Sequence, residues 1–152
     1  MACADLARQA EPERRKELLQ KLDIDLASFA AWARSCPENF ASRHLLLSAE
    51  RRVLSGEMLM ALDDFERSIE LATAGTALHH SALALERAGR FHYREGRLRL
   101  ARVCLREASY YYERWGAARK VQQLTEEFPD VPRPQEGAGR GFTSSSGTPG
   151  GT

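Results

Sequence analysis

The 152-residue sequence has no apolar run long enough for a membrane span, few cysteines and almost no net charge. A span needs roughly 18–20 consecutive apolar residues, and the N-terminus reaches Asp5 without the apolar stretch of a secretory signal. Cys3, Cys36 and Cys104 lie far apart, which is typical of reduced thiols rather than of a disulfide framework. A net charge of +1 gives no overall attraction to nucleic acid or to an anionic membrane. We therefore expect a cytoplasmic protein that binds neither.

Motifs for catalysis and for cofactor binding are also missing from the sequence. The histidines and cysteines form no CxxC, HExxH or paired i, i+4 pattern, so neither a zinc site nor a thiol nucleophile is indicated. The glycine run at 137–141 lacks the preceding strand and the following helix that a phosphate-binding loop needs. We therefore predict a chain that is not an enzyme, with no catalytic, cofactor-binding or metal-binding residues and no cofactor.

The sequence does contain helical periodicity along most of its length. Apolar residues recur at steps of three and four, which places them on one side of a helix. One such set is Leu98, Ala101, Leu105, Ala108 and Tyr112. No segment alternates convincingly with the period of two that is typical of strands. We predict an all-α chain of about six helices, near residues 12–35, 38–55, 58–73, 76–95, 97–114 and 117–128.

The composition divides the chain into three parts. Residues 12–129 carry the helical pattern and form the predicted repeat domain, with Pro12 suited to the first turn of a helix. Residues 130–152 are rich in Gly, Ser and Pro. Such a segment cannot bury enough apolar surface to offset its ordering entropy, so we predict a disordered linker or tail. Residues 1–11 are predicted to be a flexible N-terminus.

An internal repeat relates two blocks of sequence that begin at glycines forty residues apart. In each block the glycine permits a sharp turn, a small residue five positions later lets two helices approach closely, and a large apolar residue four positions further fills the groove between hairpins. This pattern predicts tetratricopeptide-like (TPR-like) antiparallel hairpins, with an irregular helical bundle as the alternative. Tyr112 and Trp115 are predicted to fill the interface with the closing helix. The predicted structural positions are Gly56, Ala61, Phe65, Gly96, Ala101, Leu105 and Trp115.

Two groups of side chains are candidates for an interaction surface. Arginines at steps of three and four can share a stripe that meets phosphate, nucleic acid or an acidic partner. The same pattern is also typical of a solvated face whose arginines pair with nearby glutamates. Neighbouring tyrosines can form a platform that binds a peptide or a ligand. The candidate residues are Arg87, Arg90, Arg94, Arg97, Tyr110 and Tyr111.

Two stretches of the chain resemble a family of very large bacterial multidomain signalling kinases. They are WARSCPENF at 32–40 and YYYERWGAARKV at 110–121, and the resemblance to the TPR-like helical region of that family extends over about residues 13–129. In such proteins a Ser/Thr-kinase-like domain and an AAA/STAND-type ATPase precede the helical region, and a linker leads on to a GAF sensor and a histidine kinase. The resemblance implies that this chain is a fragment or a separately encoded piece, which has kept the helical region without the catalytic domains.

These observations predict a non-catalytic interaction or regulatory module, whose partner is another protein or an adjacent ATPase or kinase domain. Its oligomeric state is not predicted. A small-ligand sensor, as in helical arms of STAND regulators, is one alternative. A sensor would have a pocket of several hundred Å³ lined by Tyr and Arg, whereas an interaction module would have an extended groove and no such pocket. A kinase or ATPase subunit active only with a partner chain is the other alternative, and the missing phosphate loop argues against it.

Overall fold

Seven helices account for most of residues 2–131, the part of the chain that the computed structural model describes. This part contains no strand, so the predicted all-α class is confirmed. It also contains no helix long and apolar enough to cross a membrane. Most of the predicted tail, residues 132–152, lies outside the described part. The helices are α1 (Ala2–Gln9), α2 (Pro12–Ser35), α3 (Pro37–Ser55), α4 (Met58–Ala74), α5 (Leu78–Arg94), α6 (Leu98–Trp115) and α7 (Ala118–Glu127).

The N-terminus differs from the expected flexible segment, because residues 2–9 form the packed helix α1. Ala4 and Ala7 are fully buried, and Ala4 packs with Leu22 of α2 and Leu47 of α3. An eight-residue helix is too short to be stable alone in water. It forms here because two small side chains, three positions apart, let it lie closely against α2 and α3.

The glycines predicted to form turns adopt the backbone conformation that a sharp reversal needs. Gly56 and Gly96 have φ angles of 80° and 70°, a left-handed region that residues with a Cβ rarely enter. Each turn also contains an equivalent hydrogen bond. In the first, the amide of Glu57 donates to Arg52 O at 3.0 Å, and in the second, the amide of Arg97 donates to His92 O at 2.9 Å. The donor and acceptor in the second turn are each forty positions after those in the first.

The two blocks also bury matching side chains. Ala61 and Ala101 are fully buried, and Phe65 and Leu105 are almost so. Consecutive helices pack against each other, and α3 also contacts both α1 and α5. The odd-numbered helices therefore form one layer, and the even-numbered helices cover its other side.

Trp115 does not fill the predicted interface, because 54% of its surface is exposed. Its ring stacks on His79, with the ring centroids 5.2 Å apart. Tyr112, one turn earlier, is buried in the core with Val121 and Leu124 of α7. Since α6 ends at Trp115 and the chain reverses at Gly116, α7 covers the preceding turn of α6 and leaves the tryptophan at the edge.

Helices α5 and α6 approach most closely at Gly89. A Cβ atom placed on this glycine would lie 2.7 Å from Leu105 Cγ and 3.2 Å from Cys104 Cβ. Real Cβ atoms do not come this close to core carbons, so α6 or the Leu105 side chain would have to move. A glycine inside a helix costs roughly 1 kcal/mol of helix propensity, and here the close packing of α6 offsets that cost.

We expect Gly89→Ala to lower the free energy of unfolding, since overpacking costs about 1–3 kcal/mol and outweighs the gain in helix propensity. Gly75→Ala is the matched control. Gly75 has an ordinary φ of −82°, and an added Cβ would meet its nearest atom at 3.5 Å. The control should be unchanged or stabilised by up to about 1 kcal/mol. Urea unfolding measures both, and a Gly89→Ala protein as stable as the wild type would contradict the close approach.

Candidate functional site

A charged groove lies on the layer of odd-numbered helices, with side chains from α1, α5 and α7 around it. Its volume is about 420 Å³. Each of the three helices contributes at least one acidic and one basic residue. The groove is lined by Asp5, Arg8, Glu86, Arg87, Arg90, Arg94, Lys120, Gln123 and Glu127.

The first part of the charged groove is an ion-pair network centred on Arg87. This side chain is only 7% exposed, and its two Nη atoms donate to the carboxylate of Asp5 at 2.6 Å. Its Nε donates to Oε1 of Glu50 at 2.7 Å, and Glu50 is fully buried in α3. Arg8 pairs with both Glu50 and Asp5. The network therefore joins α1, α3 and α5 through side chains that are far apart in the sequence.

The protonation states in this network follow from burial and pairing. Burial by itself lowers the pKa of Arg87, but its hydrogen bonds to Asp5 and Glu50 raise that pKa above the ordinary value. Burial raises the pKa of Asp5, but the hydrogen bond from Arg87 and the charges of Arg87 and Arg8 lower it further than burial raises it. The net pKa of Asp5 is therefore below its ordinary value, and both residues are charged at neutral pH.

The second part of the charged groove is centred on Glu86. This buried carboxylate accepts hydrogen bonds from Tyr112 Oη at 2.6 Å, Lys120 Nζ at 2.8 Å and Arg90 Nε at 2.9 Å. Arg90 also pairs with both oxygens of Glu127. Burial raises the pKa of Glu86, but its bonds to Lys120 and Tyr112 lower that pKa below the ordinary value. These contacts tie α7 to α5 and α6.

Arg94 differs from the other groove arginines because it forms no ion pair within residues 2–131. Burial lowers its pKa, and the positive charge of Arg8 lowers it further. The Nε atom of Arg8 is also buried, with no hydrogen-bond partner in the described part of the chain. Five basic side chains line the groove against three acidic ones, and Glu50 behind them adds a fourth acid. An anion would therefore find unused donors and a positive excess here.

The predicted arginine stripe is not one continuous surface. Arg87 and Arg90 lie inside the groove and hold acidic side chains of other helices, so they do not form a free solvated face. Arg94 and Arg97 are both exposed, but Arg94 lines the groove and Arg97 does not.

The predicted tyrosine platform is not part of the charged groove. Tyr110 is exposed on α6, where the guanidinium of Arg114 lies 5.7 Å from its ring centroid. Tyr111 is partly buried against the core. Tyr112, which was expected to be structural, is the tyrosine whose hydroxyl reaches Glu86.

Pairing with nearby glutamates was the alternative that the sequence offered, and Arg90 does bond to Glu86 four positions earlier. The distant partners Asp5, Glu50 and Glu127 were not predicted from the sequence. A detectable signal existed for Glu50, which sits among the buried Leu46, Leu47 and Ala49 of α3. A carboxylate among core positions needs a buried cation. Asp5 gave no such signal, because its partner Arg87 is 82 positions away.

Comparisons with protein-family models, with curated proteins and with solved structures find no match to this chain. Among residues 2–131, no group of three or more His, Cys, Asp or Glu side chains is placed to hold a metal ion.

We expect Asp5→Asn to lower the free energy of unfolding at pH 7 by about 1 kcal/mol, because Asp5 is half exposed and screened by solvent. The pKa of Asp5 is lowered by folding, so its contribution is present above the unfolded-chain pKa of 3.8 and is lost as the pH falls through its folded pKa. The difference between variant and wild type should therefore shrink below pH 3.8. Urea unfolding between neutral and acidic pH measures this difference.

The control for this prediction is Glu17→Gln, which breaks an ion pair to Arg14 between two well-exposed side chains. It should change stability by less than about 0.5 kcal/mol at any pH. If Asp5→Asn has the same effect at acidic and neutral pH, the carboxylate of Asp5 does not stabilise the fold through its charge.

Proposed function

We propose that the chain is a non-catalytic helical-repeat module that acts in the cytoplasm and binds an acidic segment of a protein partner in the charged groove. The observation that carries this proposal is Arg94, an arginine that lines the groove, forms no ion pair within residues 2–131 and has a lowered pKa. An anionic side chain placed beside Arg94 would relieve the repulsion from Arg8 and Arg87. A planar guanidinium can bind a carboxylate through two hydrogen bonds, which gives both affinity and orientation.

The rest of the groove supports a protein ligand rather than a nucleic acid. Its acids, Asp5, Glu86 and Glu127, would repel a continuous phosphate backbone, whereas a peptide can place carboxylates beside Arg94 and neutral groups elsewhere. No aromatic side chain lines the groove in the described part of the chain, so bases would find no stacking platform. The ion pairs with Asp5 of α1, Glu50 of α3 and Glu127 of α7 hold Arg87 and Arg90 in place beside Arg94 before a ligand arrives, which reduces the entropy cost of binding.

The nature of the partner follows from the resemblance to multidomain signalling kinases. In that context the acidic segment would belong to an adjacent ATPase or kinase domain or to another protein of the same signalling system. This part of the proposal rests on the stretches at 32–40 and 110–121 and not on the groove.

A small-ligand sensor is the second candidate, and the groove volume favours it. About 420 Å³ lies within the range of small-molecule pockets, and this is larger than expected for a pure interaction module. The lining argues against a typical small-molecule site, because it is charged and contains neither Tyr110 nor Tyr111. A small anionic ligand would compete for the same Arg94.

We expect a fluorescently labelled peptide rich in Glu and Asp to bind the protein, and a Lys-rich peptide of equal length not to bind. Arg94→Glu should weaken binding of the acidic peptide by about 10- to 100-fold, since it replaces the free cation with an anion. Arg34→Glu makes the same charge change on an exposed part of α2 and should have little effect. Fluorescence anisotropy at two salt concentrations measures these affinities, which should fall as the salt concentration rises.

Three results would contradict the proposal. The first is an acidic peptide that binds no better than the basic one. The second is equal weakening by Arg94→Glu and Arg34→Glu, because this would indicate a general charge effect rather than a site. The third is ATP turnover by the purified chain, which would contradict the non-catalytic assignment. Binding of a small dicarboxylate without any binding of the acidic peptide would favour the sensor.

A further inference from the structure

Helix α1 places an acidic side chain among the basic side chains of the charged groove. The two Nη atoms of Arg87 donate to the carboxylate of Asp5 at 2.6 Å, and Arg8 donates to it at 2.7 Å. Burial raises the pKa of this carboxyl, but the hydrogen bond from Arg87 and the positive charges of Arg87, Arg8 and Arg94 lower it by more. A guanidinium binds the carboxylate of a ligand through the same two parallel hydrogen bonds. Asp5 therefore takes the place in the groove that is most favourable for a ligand's carboxylate.

The packing of α1 against the rest of the protein is modest. Among its side chains that the structure describes, the buried ones are Ala4 and Ala7, and an alanine contributes only one methyl group to a core. Its large apolar side chain, Leu6, is 59% exposed. Only residues 10 and 11 separate α1 from α2, and an eight-residue helix is not stable by itself. The ion pairs therefore supply much of what holds α1 in the groove.

Arg87 keeps its position when α1 leaves, because α3 also holds it. Its Nε donates to Glu50 at 2.7 Å, a bond that does not involve α1. Release of α1 removes Asp5 and Arg8 together, so the net charge of the groove does not change. It frees both Nη atoms of Arg87 and removes the positive charge of Arg8 from beside Arg94. Two neighbouring guanidinium groups are then free for a carboxylate of another molecule.

We propose that α1 occupies the site of the partner's acidic segment and that this segment displaces α1 when it binds, a proposal that rests on the function given above. Because α1 belongs to the same chain, it competes at a high effective concentration. A ligand then binds only the fraction of molecules in which α1 has been released, and its apparent affinity falls by that fraction. The protein without a partner is therefore held in a state of low affinity, and loss of the α1 contacts activates it.

Asp5→Asn tests the competition by fluorescence anisotropy on the full chain, with the peptide rich in Glu and Asp as the probe. It removes the charge that holds α1 in the groove and keeps the size of the side chain. We expect it to tighten peptide binding by about 3- to 10-fold, because a larger fraction of the molecules has Arg87 free. Glu95→Gln is the matched control. It removes an exposed acid next to Arg94 that does not line the groove, and it should change the affinity by less than about twofold. Circular dichroism checks that both variants remain helical.

Hydrogen exchange followed by mass spectrometry tests the displacement of α1 itself. The amides of residues 6–9 are the ones that donate hydrogen bonds within α1. A saturating concentration of the acidic peptide should speed their exchange in the wild type by at least about tenfold, because α1 loses its helical structure once it is released. The Lys-rich peptide should leave their exchange unchanged.

The possible outcomes separate the displacement of α1 from the peptide binding on which it rests. If neither the wild type nor Asp5→Asn binds the acidic peptide, the proposed function fails and the displacement fails with it. If the wild type binds the peptide but Asp5→Asn binds it no tighter than Glu95→Gln does, the displacement alone is overturned. Peptide binding that leaves the amides of residues 6–9 as protected as before also overturns the displacement, because α1 then stays in the groove beside the ligand.

Discussion

The buried ion pair between Arg87 and Glu50 is the interaction on which the layer of odd-numbered helices depends. Glu50 is fully buried, and a carboxylate in that position is tolerated only with a cation in hydrogen-bonding contact. Removing one member of a buried pair costs about 3–5 kcal/mol, since the other charge is left without compensation. The pair therefore sets how α3 and α5 lie against each other, and the remaining guanidinium nitrogens of Arg87 hold α1 through Asp5.

The central position of α5 explains why its charged residues became structural. One side of α5 packs into the cluster with Phe65 and Phe91, and another packs into the cluster with Leu105 and Tyr112. Little of the middle of α5 is exposed to solvent. Its charged residues Glu86, Arg87 and Arg90 therefore point towards α1, α3 and α7, the other helices of the odd-numbered layer. Side chains there must find partners from neighbouring helices, and the charged groove is the result. The function proposed for the groove uses Arg94, the groove arginine that forms no ion pair within residues 2–131.

The charged groove lies on the layer of odd-numbered helices, and α4 and α6 cover the other side of that layer. Both sides have a physical basis in the repeat. Equivalent positions of the two hairpins are buried alike, because they make the same helix contacts, while their exposed positions are free to differ in charge. The groove side is tied by ion pairs within one molecule.

The sequence by itself determined the helices and their turns, because these depend on neighbours a few positions away. The spacing of Ala61 and Phe65 and the left-handed glycines at 56 and 96 belong to this local level. The tertiary structure alone decided that Arg87 is buried, that residues 2–9 are helical and that Trp115 is exposed. These outcomes depend on partners 37 and 82 positions from Arg87 and on where α7 ends its cover of α6. No local pattern records such distant contacts, since they arise only when the helices pack.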